Sequence, residues 1–184
     1  MSGKNSKVLV SLSAYEYLLR EVLFYESPKS PTKLKKEEGG EDKSTSSSSV
    51  LSFDSYNFQV VDKMGYDVGY RLMEKALLTE KFLGLEELDY MKFICKDFWE
   101  ELYGKKIDKL QTNHKGVFVL YDNSFRWLER HASNDEETNQ AAIKLLNFPC
   151  GILRGALANL GLSAIVNADF TALPSVKFNI VIKN

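Results

Sequence analysis

The chain has 184 residues and a net charge of −1, long enough for one domain with a sizeable core and too neutral for a nucleic-acid binder that works through a basic surface. Its two cysteines, Cys95 and Cys150, are too few for a disulfide framework and suggest a reducing compartment. The opening MSGKNSK has no apolar leader segment, and no run approaches the roughly 20 apolar residues of a membrane span, so a soluble, cytoplasmic protein is expected.

In chain order, Ser13 and Glu16 have the spacing of a capping box and open a helix to about Tyr25. Tyr15, Leu18, Leu19 and Val22 form one stripe, but Tyr17, Leu23 and Phe24 put apolar groups on other faces. A surface helix is polar on its far side; this one is expected to be wholly buried or covered by another chain. Ser27 to Ser49 holds a single large apolar residue, Leu34, and cannot bury enough to offset its ordering entropy. It reads as a disordered insertion within one domain spanning residues 1–184, either a plain loop or a tether regulated by serine phosphorylation.

After the insertion, Asp54 or Ser55 caps a long helix to about Phe82, with Val61, Met64, Val68, Leu72 and Ala76 at three- and four-residue steps. Gly65 and Gly69 lie within it. A further helix, about Glu86 to Tyr103, carries Leu88, Met91, Cys95, Phe98, Trp99 and Leu102 on one face and Lys92, Lys96, Asp97 and Glu100 largely on the other. Cys95 therefore reads as a core thiol.

The period then changes. Ile107–Gln111, the turn Asn113-His114-Lys115-Gly116 and Val117–Tyr121 form a β-hairpin. Phe125–Leu128 is a short strand or a helical turn, and Ser133–Thr138 a polar loop. A helix resumes at about Asn139, is expected to bend or break at Pro149, and ends at Gly161. Leu162, Ala164, Val166, Ala168 and Phe170 share one face of a strand, and past Leu173-Pro174 so do Val176, Phe178, Ile180 and Ile182. Strands with one apolar and one polar face fit an antiparallel sheet covered on one side. The fold class is α+β, with helices packed on one face of a four-stranded antiparallel sheet.

The stretch CGILRGALANLG, Cys150–Gly161, repeats the four-residue glycine spacing at Gly151 and Gly155. Each glycine costs a helix interior ~1 kcal/mol relative to alanine, so paired occurrences on two helices point to a close backbone approach by another helix or a strand.

The sequence carries little catalytic chemistry. The chain has neither GxxxxGK[ST] nor GxGxxG; His114 and His131 sit in a turn and beside a polar loop, without partners at metal-ligand spacing. Ser133 near His131 makes no triad, and Asp97, Glu100 and Glu101 read as the wet face of a helix. No catalytic residue, cofactor or metal is expected; the residues describe a binding or scaffold module.

Four stretches carry a resemblance: MGYDVGYRLMEKAL (Met64–Leu77), MKFICKDFW (Met91–Trp99), IDKLQTNHKGVFVLYDN (Ile107–Asn123) and CGILRGALANLGLSAIV (Cys150–Val166). Together they resemble the small subunits of TRAPP, the transport protein particle, and the middle two its subunit-six branch. The resemblance implies an α/β plait and a non-catalytic structural role in a complex that tethers vesicles between endoplasmic reticulum and Golgi and supports nucleotide exchange on a Rab-family GTPase. It also implies a cytoplasmic location, peripheral to cis-Golgi and endoplasmic reticulum membranes through the complex, and no nucleic-acid partner. The expected partner is a sister small subunit, paired through Tyr17, Leu18, Leu23, Phe24, Val61, Gly65, Val68, Gly69 and Leu72. The alternative is a module that binds an acyl chain. Acyl-carrying members bear a cysteine shortly downstream of the MGYxxGxRLxE-like stretch, and this chain has none between Met64 and Leu88.

Overall fold

The structure, a computed structural model, describes residues 53–79, 86–129 and 136–183. The capped helix expected from Ser13 and the Ser27–Ser49 insertion lie outside these residues, as does His131.

Among the described residues, four α-helices and four strands follow one another: α1 (Phe53–Thr79), α2 (Glu87–Phe93), α3 (Trp99–Tyr103), β1 (Lys109–Thr112), β2 (Val117–Asp122), α4 (Glu136–Asn159), β3 (Ala164–Asp169) and β4 (Val176–Ile182). The strands form one antiparallel sheet in the order β1-β2-β4-β3. One face is buried through Phe118, Leu120, Val166, Phe178 and Ile180, each at most 6% exposed. Helix α4 packs against the sheet nearest β3, and α1 packs against α4. The α+β class with helices on one sheet face is therefore the observed architecture.

Four expectations change. The helix expected over Glu86–Tyr103 is interrupted by a π-turn, Ile94–Phe98, that separates α2 from α3. Within it the Cys95 carbonyl accepts the Ile107 N–H at 2.9 Å, tying the helix to the chain entering β1. Pro149 neither breaks α4 nor divides it; the helix runs through it as one element. A proline ring removes one intrahelical donor, a local loss that packing outweighs here, since both faces of this stretch are buried. Helix α4 also starts at Glu136, so the polar loop expected to reach Thr138 is shorter. Its segment Asn139–Asn159 is apolar and long enough by composition to cross a membrane, contrary to the sequence reading, but 61% of that window is buried inside the fold.

The ends of the elements show why they stop where they do. Gly161 adopts φ +82 after α4, its N–H donating to Ala158 O at 3.0 Å and that of Leu162 to Leu157 O at 2.9 Å, the paired bonds of a left-handed helix stop. The segment left open at Phe125–Leu128 is a 3-10 turn, Arg126–Leu128, with Phe125 and Leu128 fully buried. Phe125 meets Trp99, Tyr103, Trp127 and Phe178 at centroid distances of 5.1–6.1 Å, an aromatic cluster joining helix, turn and sheet.

Asp122, at the end of β2, is 0% exposed and fully engaged. It accepts from Trp99 Nε1 at 3.0 Å, Lys105 Nζ at 2.6 Å and the Ser124 N–H at 3.1 Å. A buried carboxylate is tolerated only when paired and hydrogen-bonded, and this one fastens the helical layer to the sheet. Burial alone lowers the Lys105 pKa, but Asp122 and Asp108 outweigh it and hold the ammonium above its ordinary range.

Candidate protein-interaction surface

The glycines of α1 and α4 meet each other. A Cβ on Gly65 would lie 2.3 Å from Phe148 O, and one on Gly69 2.1 Å from Ile152 O. From the other side, a Cβ on Gly151 would lie 2.2 Å from Asp62 O and one on Gly155 2.0 Å from Tyr66 O. The contacts advance in step along both helices, so α1 and α4 run in the same direction through this seam. All four contacts are to backbone, which cannot swing aside as a side chain would. The close approach inferred from the glycine spacing is thus made inside the chain. Arg154 closes its rim, ion-paired with Asp62 and placed 5.7 Å from the Tyr66 ring centroid.

This seam fixes the rotation of α1. Its buried line runs Val61, Gly65, Gly69, Met73 and Ala76. The sequence had grouped Val61, Met64, Val68, Leu72 and Ala76 on one face, and the structure splits that group. Val61 and Ala76 are 1% and 3% exposed, whereas Met64 and Val68 are 42% and 40% exposed. The reason is that glycine casts no vote in a hydropathy pattern, yet here it marks where the backbones touch. Beside the buried line, Val60, Met64 and Val68 form a second apolar line at four-residue steps, with Val60 37% exposed.

The residues expected to meet a partner therefore divide. Val61, Gly65 and Gly69 face α4, Leu72 is half-buried against the core, and Val68 points outward. Tyr17, Leu18, Leu23 and Phe24 lie outside the described residues. Sequence reasoning missed Val60 and misassigned Met64; the four-residue recurrence of Val60, Met64 and Val68 was the signal for a separate line.

The two thiols offer no reactive centre. Cys95 and Cys150 are both buried, and burial pushes each pKa up from 9.0 to about 12. Reactive cysteines need the thiolate, which such surroundings suppress. Cys150, at 7% exposure, is enclosed in α4, which continues through Pro149. His114 is an exposed turn residue, and no group of three or more metal-ligating side chains occurs among the described residues.

Residues 13–183 match the family described as "Transport protein particle (TRAPP) component". The chain is 44% identical over 124 residues to human "Trafficking protein particle complex subunit 6B", covering 67% of this chain and 77% of the relative. It is 46% identical over 124 residues to bovine "Trafficking protein particle complex subunit 6A", with the same coverage of 67% and 77%. A crystal structure of subunit 3 from Naegleria fowleri, covalently bound to palmitic acid, superposes with a TM-score of 0.60 at 17% identity, over 71% of this chain and 82% of that one, and shows the same fold. A helix pair sealed by glycines over one face of a four-stranded sheet, in a sequence matched almost end to end, belongs to the TRAPP component family, on its subunit-six branch.

Proposed function

We propose that this chain is a non-catalytic structural subunit of a TRAPP vesicle-tethering complex, bound to a sister small subunit through the outward line of α1. The observation that carries this reading is the line Val60, Met64 and Val68, apolar and 37–42% exposed next to a seam already closed within the chain. Stable interfaces bury about 1,200–2,000 Å², and a few large side chains carry most of the energy. A helix of the partner laid along this line would cover it. Through the complex the subunit supports nucleotide exchange on a Rab-family GTPase in endoplasmic reticulum-to-Golgi transport. Its place is cytoplasmic and peripheral to those membranes. The chain forms one domain.

The structurally similar subunit 3 holds palmitic acid covalently. Here the acyl-carrier reading lacks support: no cysteine lies between Met64 and Leu88, and the two thiols present are buried and held protonated.

Co-expression with tagged sister small subunits tests the proposal. Met64→Glu with Val68→Glu should abolish co-purification while the chain keeps its helical circular dichroism. Retained pairing by the folded double variant would put the interface elsewhere.

A further inference from the structure

The sheet face turned away from the helices carries a surface unrelated to the α1 line. Register places Val117 opposite Val181, and Val181 opposite Ile165, so three aliphatic side chains form one row across β2, β4 and β3. Val181 and Ile165 are 40% and 45% exposed. At the other end of this face the side chains satisfy one another. Tyr121 Oη donates to Gln111 Oε1 at 2.8 Å, and Asn179 Nδ2 to Asp169 Oδ2 at 2.7 Å, with Lys177 Nζ 3.8 Å from the same carboxylate.

The apolar row is bounded differently. Lys115, in the hairpin turn, and Lys183, just past β4, flank it, are exposed, and have no ion pair among the described residues. The turn that presents Lys115 is firmly built: His114 takes φ 56, and Asn113 Oδ1 accepts from the Lys115 and Val117 N–H groups at 2.8 and 3.1 Å. Asp169 is the one carboxylate among the outward-facing strand residues, and it is already engaged. Among the described residues, a chain with net charge −1 thus turns an apolar edge with two lysines outside any ion pair to its surroundings.

We propose that this end of the sheet docks an acidic, apolar peptide segment of a partner protein. Its aliphatic or aromatic side chains lie on Val117, Val181 and Ile165, and its carboxylates reach Lys115 and Lys183. With strands ~4.8 Å apart the row is ~10 Å long, the width of one helix or extended segment. Charge decides among occupants. A second copy would bring like-charged lysines together. An anionic membrane would press against Asp169 and the neighbouring Asn167 and Asn179, which share this face.

The test is selection of a random twelve-residue peptide library on the full chain, followed by affinity measurement for the best synthetic peptide. Selected peptides should combine Asp or Glu with large apolar residues. Val181→Lys, and Lys115→Glu with Lys183→Glu, should each weaken binding at least ~tenfold, whereas Lys109→Glu at the far end should change it less than ~twofold. Ile165→Thr, which keeps a strand-forming residue, should weaken it as well, and thermal unfolding verifies that each variant is folded. Failure to select peptides, or selected peptides that lack acidic residues or bind all variants alike, would overturn the proposal. So would loss of binding to phosphatidylserine vesicles, or of self-association, in the same variants with peptide affinity unchanged.

Discussion

Helix α1 has two apolar faces that behave as opposites. Its inward line is closed by backbone: a methyl group added at Gly69 would sit 2.1 Å from Ile152 O, with no room to yield. Its outward line, Val60, Met64 and Val68, is apolar in composition but 37–42% exposed, with one side open to solvent. Hydrophobicity alone does not separate the two. What separates them is whether a neighbour has given up its own side chains to come close, as α4 has at Gly151 and Gly155.

The largest effect should come from filling the seam. Gly155→Val would drive atoms into the Tyr66 carbonyl, 2.0 Å from the site of the first added carbon. Alanine there gains ~1 kcal/mol of helix propensity, but overpacking against backbone outweighs it. Gly155→Ala should lose ~3 kcal/mol and Gly155→Val more, a large share of the 5–15 kcal/mol that holds a domain together. Denaturant unfolding measures this; an alanine variant within ~0.5 kcal/mol of the parent would mean the helices are further apart.

Alkaline pH probes the buried side of the fold chemically. Both thiols have folded-state pKa values of about 12, above the ordinary 9.0, so their contribution is intact below pH 9. It is lost as pH rises from 9 towards 12, because unfolding releases each thiol to ionise. At pH 10.5 the loss should be about 2 kcal/mol per thiol. Stability measured at pH 8 and pH 10.5 should show a smaller drop in Cys95→Ala than in the parent, and an equal drop would contradict the burial.

Arg154 sharpens the comparison at the rim, where the seam meets solvent. Its pair with Asp62 is part-exposed, at 33% and 28% of the two side chains, so solvent screening discounts it. Arg154→Met should cost ~1 kcal/mol, well below the glycine variants. On the outward line, single polar replacements such as Val68→Ser should cost less than ~1 kcal/mol, since these side chains are already part-exposed and leave no closed cavity. A stability loss there comparable to that at the glycines would erase the distinction between the faces.

Much of the fold was legible because strand and helix periods leave different marks. Val176, Phe178, Ile180 and Ile182 alternate cleanly, and all four are buried on the inner sheet face. The helix stop at Gly161 was readable from one residue, as only glycine takes φ +82 without strain. The course of α4 through Pro149 was not, because the local loss at a proline is visible in sequence while the packing that outweighs it is not. The aromatic cluster around Phe125 was also hidden, its members coming from segments far apart in the chain.

By itself the sequence determined the elements, the antiparallel sheet with one covered face, and the need for a close backbone contact at its paired glycines. Each follows from local spacing or from the absence of a Cβ, which a residue carries wherever it sits. Only the tertiary structure decided that those glycines meet each other, and so which way α1 is rotated. It left Val60, Met64 and Val68 facing outward while Val61, one residue from Val60, is 1% exposed. Helical spacing fixes which residues share a face, but the direction that face points depends on the partner it packs against, and that partner, α4, begins only at Glu136, beyond α2, α3 and the first hairpin.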